Sequence, residues 1–190
     1  MASQPAHVYP LDEYLQQERR ADSRSEYFEG EVFAVSGGTG RHSELSARMI
    51  MLLGRGPCRV FDSNLKIYLQ ESEQCVYSDA SVVCEAPKYL DQREDVLLNP
   101  ALVVEVLSPS TERYDKGSKG LYYRNLPSLR HCLLISQDRV FIEHSERQEN
   151  RTWVVQTYTD LNGKISLKLL GLELSIDEIY RGVLPGQQWS

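Results

Sequence analysis

Long hydrophobic runs are missing from this chain, and no apolar stretch approaches the roughly 18 residues that cross a bilayer. The opening residues, MASQPAHVYPLDEYLQQERRADSR, lack a basic region followed by an apolar one. Nothing there reads as a secretory signal, so a cytoplasmic location and no membrane partner are expected. Cysteine is scarce: Cys58, Cys75, Cys84 and Cys132 lie far apart, with no CxxC pair. That spacing offers neither a zinc site nor a disulfide framework, and Cys84 and Cys132, inside apolar runs, are expected to be reduced, buried thiols. Positive charge is outweighed, with 21 Lys and Arg against 27 Asp and Glu and a net charge of −6. This excludes a generic basic coat protein for nucleic acid, but not an enzyme with a local basic strip. There is no internal repeat. Gly37-Gly38-Thr39-Gly40 lacks both GK[ST] and a strand-GxGxxG setting, so it reads as a turn and not a phosphate loop.

What is present suits one compact domain: 190 residues, 41% hydrophobic and 25% charged. The charge is uneven. Residues 71–99 carry seven acids against two bases, whereas residues 111–130 carry five bases against two acids. An anionic substrate would approach the second segment. Apolar spacing predicts a helix over 11–20, a strand pair at 25–28 and 32–36 turning through Glu29-Gly30-Glu31, and a helix over 42–53. Strands follow at 60–62, 65–69, 76–84 and 101–107, then a helix over 111–125 capped by Ser110 or Thr111. Further strands are expected at 131–136, 140–144, 153–159 and 165–169, with a helix near 176–182. The fold class is α/β or α+β, a central mixed sheet flanked by a few helices, and not a doubly wound fold.

Two acids stand where acids are costly. Leu102-Val103-Val104-Glu105-Val106-Leu107 reads as a central strand covered on both faces, with Glu105 in its middle. A buried carboxylate must protonate, pair with a base, or bind a metal ion. Asp79 opens the small or apolar stretch Ala80–Cys84, and alternation groups it with Tyr77, Ser81 and Val83. If the two strands are neighbours, Asp79 and Glu105 converge on one face. Two hard oxygen ligands, with waters and a phosphate completing the shell, suit Mg²⁺ or Mn²⁺ acting on a phosphodiester. The alternative is an internal ion pair, with Glu105 held by Lys119, Lys116 or an arginine.

Taken together, Glu26-Tyr27-Phe28-Glu29-Gly30-Glu31-Val32, His42, Tyr77-Ser78-Asp79, Val103-Val104-Glu105-Val106-Leu107-Ser108-Pro109-Ser110-Thr111, Tyr114-Asp115-Lys116-Gly117-Ser118-Lys119-Gly120-Leu121-Tyr122 and Pro127-Ser128-Leu129 form a distinctive series. It resembles the Uma-type restriction endonucleases of the PD-(D/E)XK nuclease superfamily, over roughly residues 8 to 182 of a single domain spanning 1–190. The resemblance implies a restriction-endonuclease-like fold, a central mixed sheet with additional hairpins, and a metal at one sheet edge. Asp79 matches the first superfamily acid and Glu105 the second. The lysine usual two residues later is Leu107 here. Lys119 in the next helix matches its displaced position, with Lys116 as the neighbouring choice. Glu26 matches an acid that contributes to the metal site, or else is an exposed hairpin residue. His42 matches a histidine that orients phosphate or metal-bound water, or else caps its helix. Ser108, Ser110 and Thr111 fit caps better than phosphate ligands. Two departures stand out: Ser78 replaces the usual proline, and Arg130-His131-Cys132 replaces an acid followed by aromatics.

The leading expectation is a Mg²⁺- or Mn²⁺-dependent endonuclease cutting DNA, with Asp79 and Glu105 as ligands, Lys119 as the catalytic cation, and Glu26 and His42 in support. A homodimer is expected, as in many restriction-type nucleases. The alternative is a catalytically inactive binding or assembly module on a nuclease scaffold, consistent with the acidic charge and the absence of a recognisable DNA-reading motif.

Overall fold

Six consecutive buried residues, Leu102–Leu107, form the strand around which the other elements are arranged. The computed structural model describes residues 8–35, 37–109 and 112–184. In chain order these form α1 (Leu11–Glu18), β1 (Ser25–Phe28), β2 (Glu31–Ala34), α2 (Gly40–Leu53), β3 (Arg59–Asp62), β4 (Lys66–Leu69), β5 (Gln74–Tyr77), β6 (Ala80–Val83), β7 (Val96–Leu97) and β8 (Leu102–Leu107). Next come α3 (Glu112–Tyr114), a π-type turn (Asp115–Lys119), α4 (Gly120–Asn125), β9 (His131–Ser136), β10 (Ile142–Arg147), β11 (Trp153–Tyr158), β12 (Lys164–Leu167), β13 (Leu172–Ser175) and α5 (Ile176–Tyr180).

The main sheet has the order β11-β10-β9-β8-β6-β3, and a second sheet runs β2-β1-β5-β4-β7. β8 pairs antiparallel with β6 and parallel with β9, so the main sheet is mixed. Alternation along β8 divides the core. Val104 and Val106 face α2, packing with Leu45, Met49 and Leu53. Val103 and Leu107 face the other way, with Tyr123 of α4, Leu126 just after it, and Ile67 and Leu69 of β4. Glu105 is directed to this second side by the same period of two. This is the expected α+β arrangement: a central mixed sheet, few helices and added hairpins.

Several boundaries differ from the sequence expectation, each for a local reason. The predicted strand 76–84 is two strands in two sheets: β5 ends at Tyr77 and β6 begins at Ala80. Ser78 and Asp79 form the corner between them, so strict alternation does not carry across Asp79. The first hairpin turns through two residues, with Phe28 opposite Glu31 and positive φ at both Glu29 (45°) and Gly30 (94°). That is the turn favoured between twisted strands. A Cβ at Gly30 would lie 2.4 Å from Val8 Cγ1, so glycine is required there. Helix α2 starts two residues early, at Gly40, capped by the Thr39 hydroxyl accepting from the His42 N–H at 3.2 Å. The hairpin partner β13 was not anticipated. Capping by Ser110 and Thr111 lies outside the described residues.

The thiol expectation is overturned for one pair. Cys58 and Cys84 flank the paired residues Arg59 and Val83 of β3 and β6, and their sulfurs are bonded with Cα atoms 4.5 Å apart. Close approach of opposing residues in an antiparallel pair, invisible in a spacing of 26, creates the bond. Cys75 and Cys132 are free and buried, and burial pushes both thiols up to about 12.

The departure at residues 130–132 has a structural use. His131 on β9 and His144 on β10 are both buried, with Nδ1 of the first 3.0 Å from Nε2 of the second. One ring donates and the other accepts, which requires at least one neutral imidazole. Burial, then His144 and Arg130, lower the His131 pKa to about 4, and burial lowers that of His144. A depressed pKa means that between the ordinary value of about 6.5 and about 4 the unfolded chain binds a proton that the native state refuses. The His131 contribution to stability is therefore complete above pH 6.5 and falls with acidification through that window, by about 1.4 kcal/mol per pH unit. Urea midpoints at pH 7.5 and pH 5.0 should differ less for His131→Phe than for the wild type; equal differences would refute the assignment.

Candidate functional site

Four elements meet at the second face of β8. Glu26 comes from β1, Asp79 from the β5–β6 corner, Glu105 from β8 and Lys119 from the end of the π-type turn. The wider turn, in which Gly117 leaves helical geometry, places both Asp115 and Lys119 inside, at 4% and 5% exposure. Such turns cost regular hydrogen bonding and occur often at functional sites. Lys119 Nζ donates to the Tyr77 carbonyl at 2.7 Å and to Glu26 Oε1 at 3.2 Å, and pairs with Glu105 Oε1 at 3.1 Å. Asp115 Oδ1 lies 3.9 Å away. An ammonium has three protons, and three oxygens take them. Glu26 Oε1 also accepts from the Tyr77 N–H, so this acid clamps the strand end just before the corner.

Glu105 Oε1 is shared between Lys119 and the Tyr123 hydroxyl, which donates at 2.7 Å. Asp79 is held at β8: its N–H donates to the Val104 carbonyl, and its Oδ2 accepts from the Val106 N–H at 2.7 Å. His42 Nε2 sits 3.5 Å from the same oxygen, close enough for attraction but long for a hydrogen bond. A Cβ at Gly38 would come within 2.9 Å of the His42 ring, so glycine there leaves room for the imidazole. Each carboxylate thus keeps one oxygen, Asp79 Oδ1 and Glu105 Oε2, without a hydrogen bond from the described residues.

Both acids line a single cleft of about 1020 Å³. Four carboxylates (Glu26, Asp79, Glu105 and Asp115) face two permanent cations there, Arg24 and Lys119. Burial raises the Glu105 carboxyl well above the usual carboxylate range, and Asp115 and Asp79 push the same way against Lys119 and Tyr123. Burial alone would lower Lys119, but Glu105, Glu26 and Asp115 more than offset it and hold the ammonium charged. The ion pair that the sequence offered as an alternative is therefore present. The free oxygens show that it does not exhaust the carboxylates.

The donor set fits a hard cation. No group of three or more His, Cys, Asp or Glu among the described residues is arranged to hold an ion. Asp79 and Glu105 could supply two carboxylate oxygens to Mg²⁺ or Mn²⁺, ions that keep several waters and take phosphate oxygens as further ligands. Of the residues singled out in the sequence, Glu26, His42, Asp79, Glu105 and Lys119 all line this cleft. Lys116 does not; it pairs with Glu112 at 2.5 Å. His42 is not the helix cap, because Thr39 occupies that position. Sequence reasoning missed Tyr123 and Asp115, although their spacing of four from Lys119 was a usable signal once a helical turn was placed there.

The mixed-sheet fold thus brings an acid of the β5–β6 corner, an acid of β8 and a buried lysine to one cleft, and comparisons with known proteins place that fold in a family. The Uma2 family, described as "Putative restriction endonuclease", matches residues 11–177, and the chain belongs to that family. Two uncharacterized proteins of Synechocystis sp. are similar throughout: slr1290, 36% identical over 96% of this chain and 98% of its own length, and sll1609, 33% identical over 83% and 92%. A crystal structure titled as a putative nuclease belonging to DUF820, from Anabaena variabilis, has the same fold. It superposes with a TM-score of 0.73 at 19% identity, covering 90% of this chain and 97% of that one. No helix among the described residues is long and apolar enough to cross a membrane.

Removing Lys119 should expose how much the interior depends on it. Lys119→Met leaves Glu105 and Glu26 without their cation and should cost about 3–5 kcal/mol in urea unfolding. Adding Glu105→Gln should recover part of that loss, and Tyr123→Phe alone should cost about 1 kcal/mol. A Lys119→Met protein within experimental error of wild-type stability would contradict this network.

Proposed function

We propose that this chain is a divalent-metal-dependent endonuclease that hydrolyses DNA phosphodiester bonds in the cleft between β8, the β5–β6 corner and the π-type turn. The observation that carries the reading is the convergence of Asp79 and Glu105, each with one uncommitted oxygen, beside a buried, charged Lys119. Asp79 and Glu105 would hold Mg²⁺ or Mn²⁺, which when bound supplies Lewis-acid stabilisation of phosphate charge and lowers the pKa of a coordinated water. Lys119 holds a positive charge at the face where charge accumulates on the phosphoryl oxygens, and its surroundings keep it protonated at any ordinary pH. Tyr123 fixes the Glu105 rotamer, and Glu26 fixes Lys119 against the Tyr77 carbonyl. His42, at the N-terminal turn of α2 beside Asp79, is placed to orient water or phosphate. A cleft with four acids and two cations repels a phosphodiester unless further positive charge enters, which favours a metal-dependent reaction over one run by Lys119 alone.

One observation favours the alternative, a nuclease-fold module without catalysis: all three Lys119 protons are already taken by protein oxygens. The two readings diverge experimentally. Purified protein incubated with supercoiled plasmid and with circular single-stranded DNA should cut at least one of them in Mg²⁺ or Mn²⁺ and neither in EDTA. Asp79→Asn and Glu105→Gln should each lower the rate at least about 100-fold while keeping the fold. Absence of metal-dependent cleavage across both substrates would overturn the nuclease reading in favour of the binding module.

A further inference from the structure

Aromatic rings in this cleft and beneath Glu105 fall into two groups. Tyr77 and Tyr123 are buried and committed: Tyr77 donates to Glu18 and lies against Arg24 and Lys66, and Tyr123 holds Glu105. Phe33 on β2 and Tyr114 on α3 also line the cleft, yet they are 49% and 39% exposed. No ring or cation covers Phe33 among the described residues, and the Tyr114 ring lies 5.8 Å from Lys119 Nζ. Phe28 and Tyr122, with centroids 6.1 Å apart, line the same cleft. Its polar lining includes Thr39, His42, Ser43 and Ser46 from α2 and its cap. Single exposed aromatics are ordinary. Here Phe33 stands opposite Glu26 in the β1–β2 register and the Glu26 charge acts on Tyr114, so two exposed rings flank one acid of the cleft and offer a surface for a flat apolar ligand.

The phosphate side of recognition is weak by comparison. Duplex binders commonly neutralise about six to ten phosphates with Lys and Arg. Among the described residues the cations lining the cleft are Arg24 and Lys119, against the four acids Glu26, Asp79, Glu105 and Asp115. Such a lining cannot neutralise that many phosphates, which favours contacts to bases over contacts to backbone. Bases present their faces only when unpaired, and stacking on aromatic side chains then tolerates any sequence.

We propose that the cleft takes an unpaired DNA strand, with bases stacked on Phe33 and Tyr114 and the scissile phosphodiester presented to Lys119, Asp79 and Glu105. This deepens the nuclease reading and rests on it for the assignment of nucleic acid to the cleft. The substrate class is single-stranded DNA or a displaced strand within a duplex.

Binding separates this claim from catalysis. Fluorescence anisotropy in a Glu105→Gln background, where no strand is consumed, would compare a mixed-sequence 5′-labelled oligonucleotide with the same strand annealed to its complement and with the same strand carrying abasic sites. The single strand should bind at least about tenfold tighter than either. Phe33→Ala and Tyr114→Ala should each weaken single-strand binding by about 5- to 150-fold, the range for one lost base stack, and leave duplex binding unchanged. Both side chains are exposed, so folding should survive, and Tyr114→Phe should retain affinity. Duplex or abasic DNA bound as tightly as the intact strand, or alanine variants indistinguishable from the parent, would overturn the proposal while leaving the nuclease reading intact. Ring-dependent single-strand binding by a wild-type protein that cuts nothing would support the proposal and overturn only the nuclease reading.

Discussion

An ammonium buried among carboxylates is the constraint on which the site depends. Lys119 sits at 5% exposure with Glu105, Glu26 and the Tyr77 carbonyl around it, and none of these groups is tolerable in that interior without the others. The lysine ties the π-type turn to β8, β1 and the end of β5 at one point. The place where the chain passes from one sheet to the other, at Ser78-Asp79, is thereby fixed relative to the central strand. Replacing the whole cluster, lysine and carboxylates together, by packed hydrophobic residues would give a core at least as stable. The polar cluster makes sense as the support for something that acts in the adjoining cleft.

The support is layered. Backbone groups of β8 orient Asp79, Tyr123 orients Glu105, and Glu26 acts twice, on Lys119 and on the Tyr77 N–H. Each carboxylate is held through one oxygen and presents the other. Departure of the lysine from the usual position two residues beyond Glu105 is resolved by geometry: Leu107 packs into the core beside Val103, and the ammonium arrives from the following turn instead. A cation's field does not depend on which element carries it.

Much of this was readable from residues alone. The apolar run around Glu105 announced a central strand because five of its six side chains cannot face water, and the structure buries all six. The spacing of Leu45, Met49, Leu52 and Leu53 announced α2 for the same reason. What was not readable required knowledge of which strands are neighbours. The bend at Ser78-Asp79 interrupts a stretch that looks continuous, because each half is apolar enough to be a strand in its own sheet. The bond between Cys58 and Cys84 depends on the register of β3 against β6, and the roles of Tyr123 and Asp115 depend on the π-type turn that brings Lys119 inward. Nothing in the sequence marked Phe33 or Tyr114 as a ligand surface, since an aromatic in a strand or helix is by default a core residue.

The nuclease proposal requires Asp79 and Glu105 to hold one divalent ion between them. Electron paramagnetic resonance of Mn²⁺ titrated into the metal-free protein tests it without reference to any substrate. One bound Mn²⁺ per chain is expected, displaced by excess Mg²⁺ and lost in both Asp79→Asn and Glu105→Gln. Binding that survives either substitution, or no bound Mn²⁺ in the wild-type protein at millimolar metal, would contradict it.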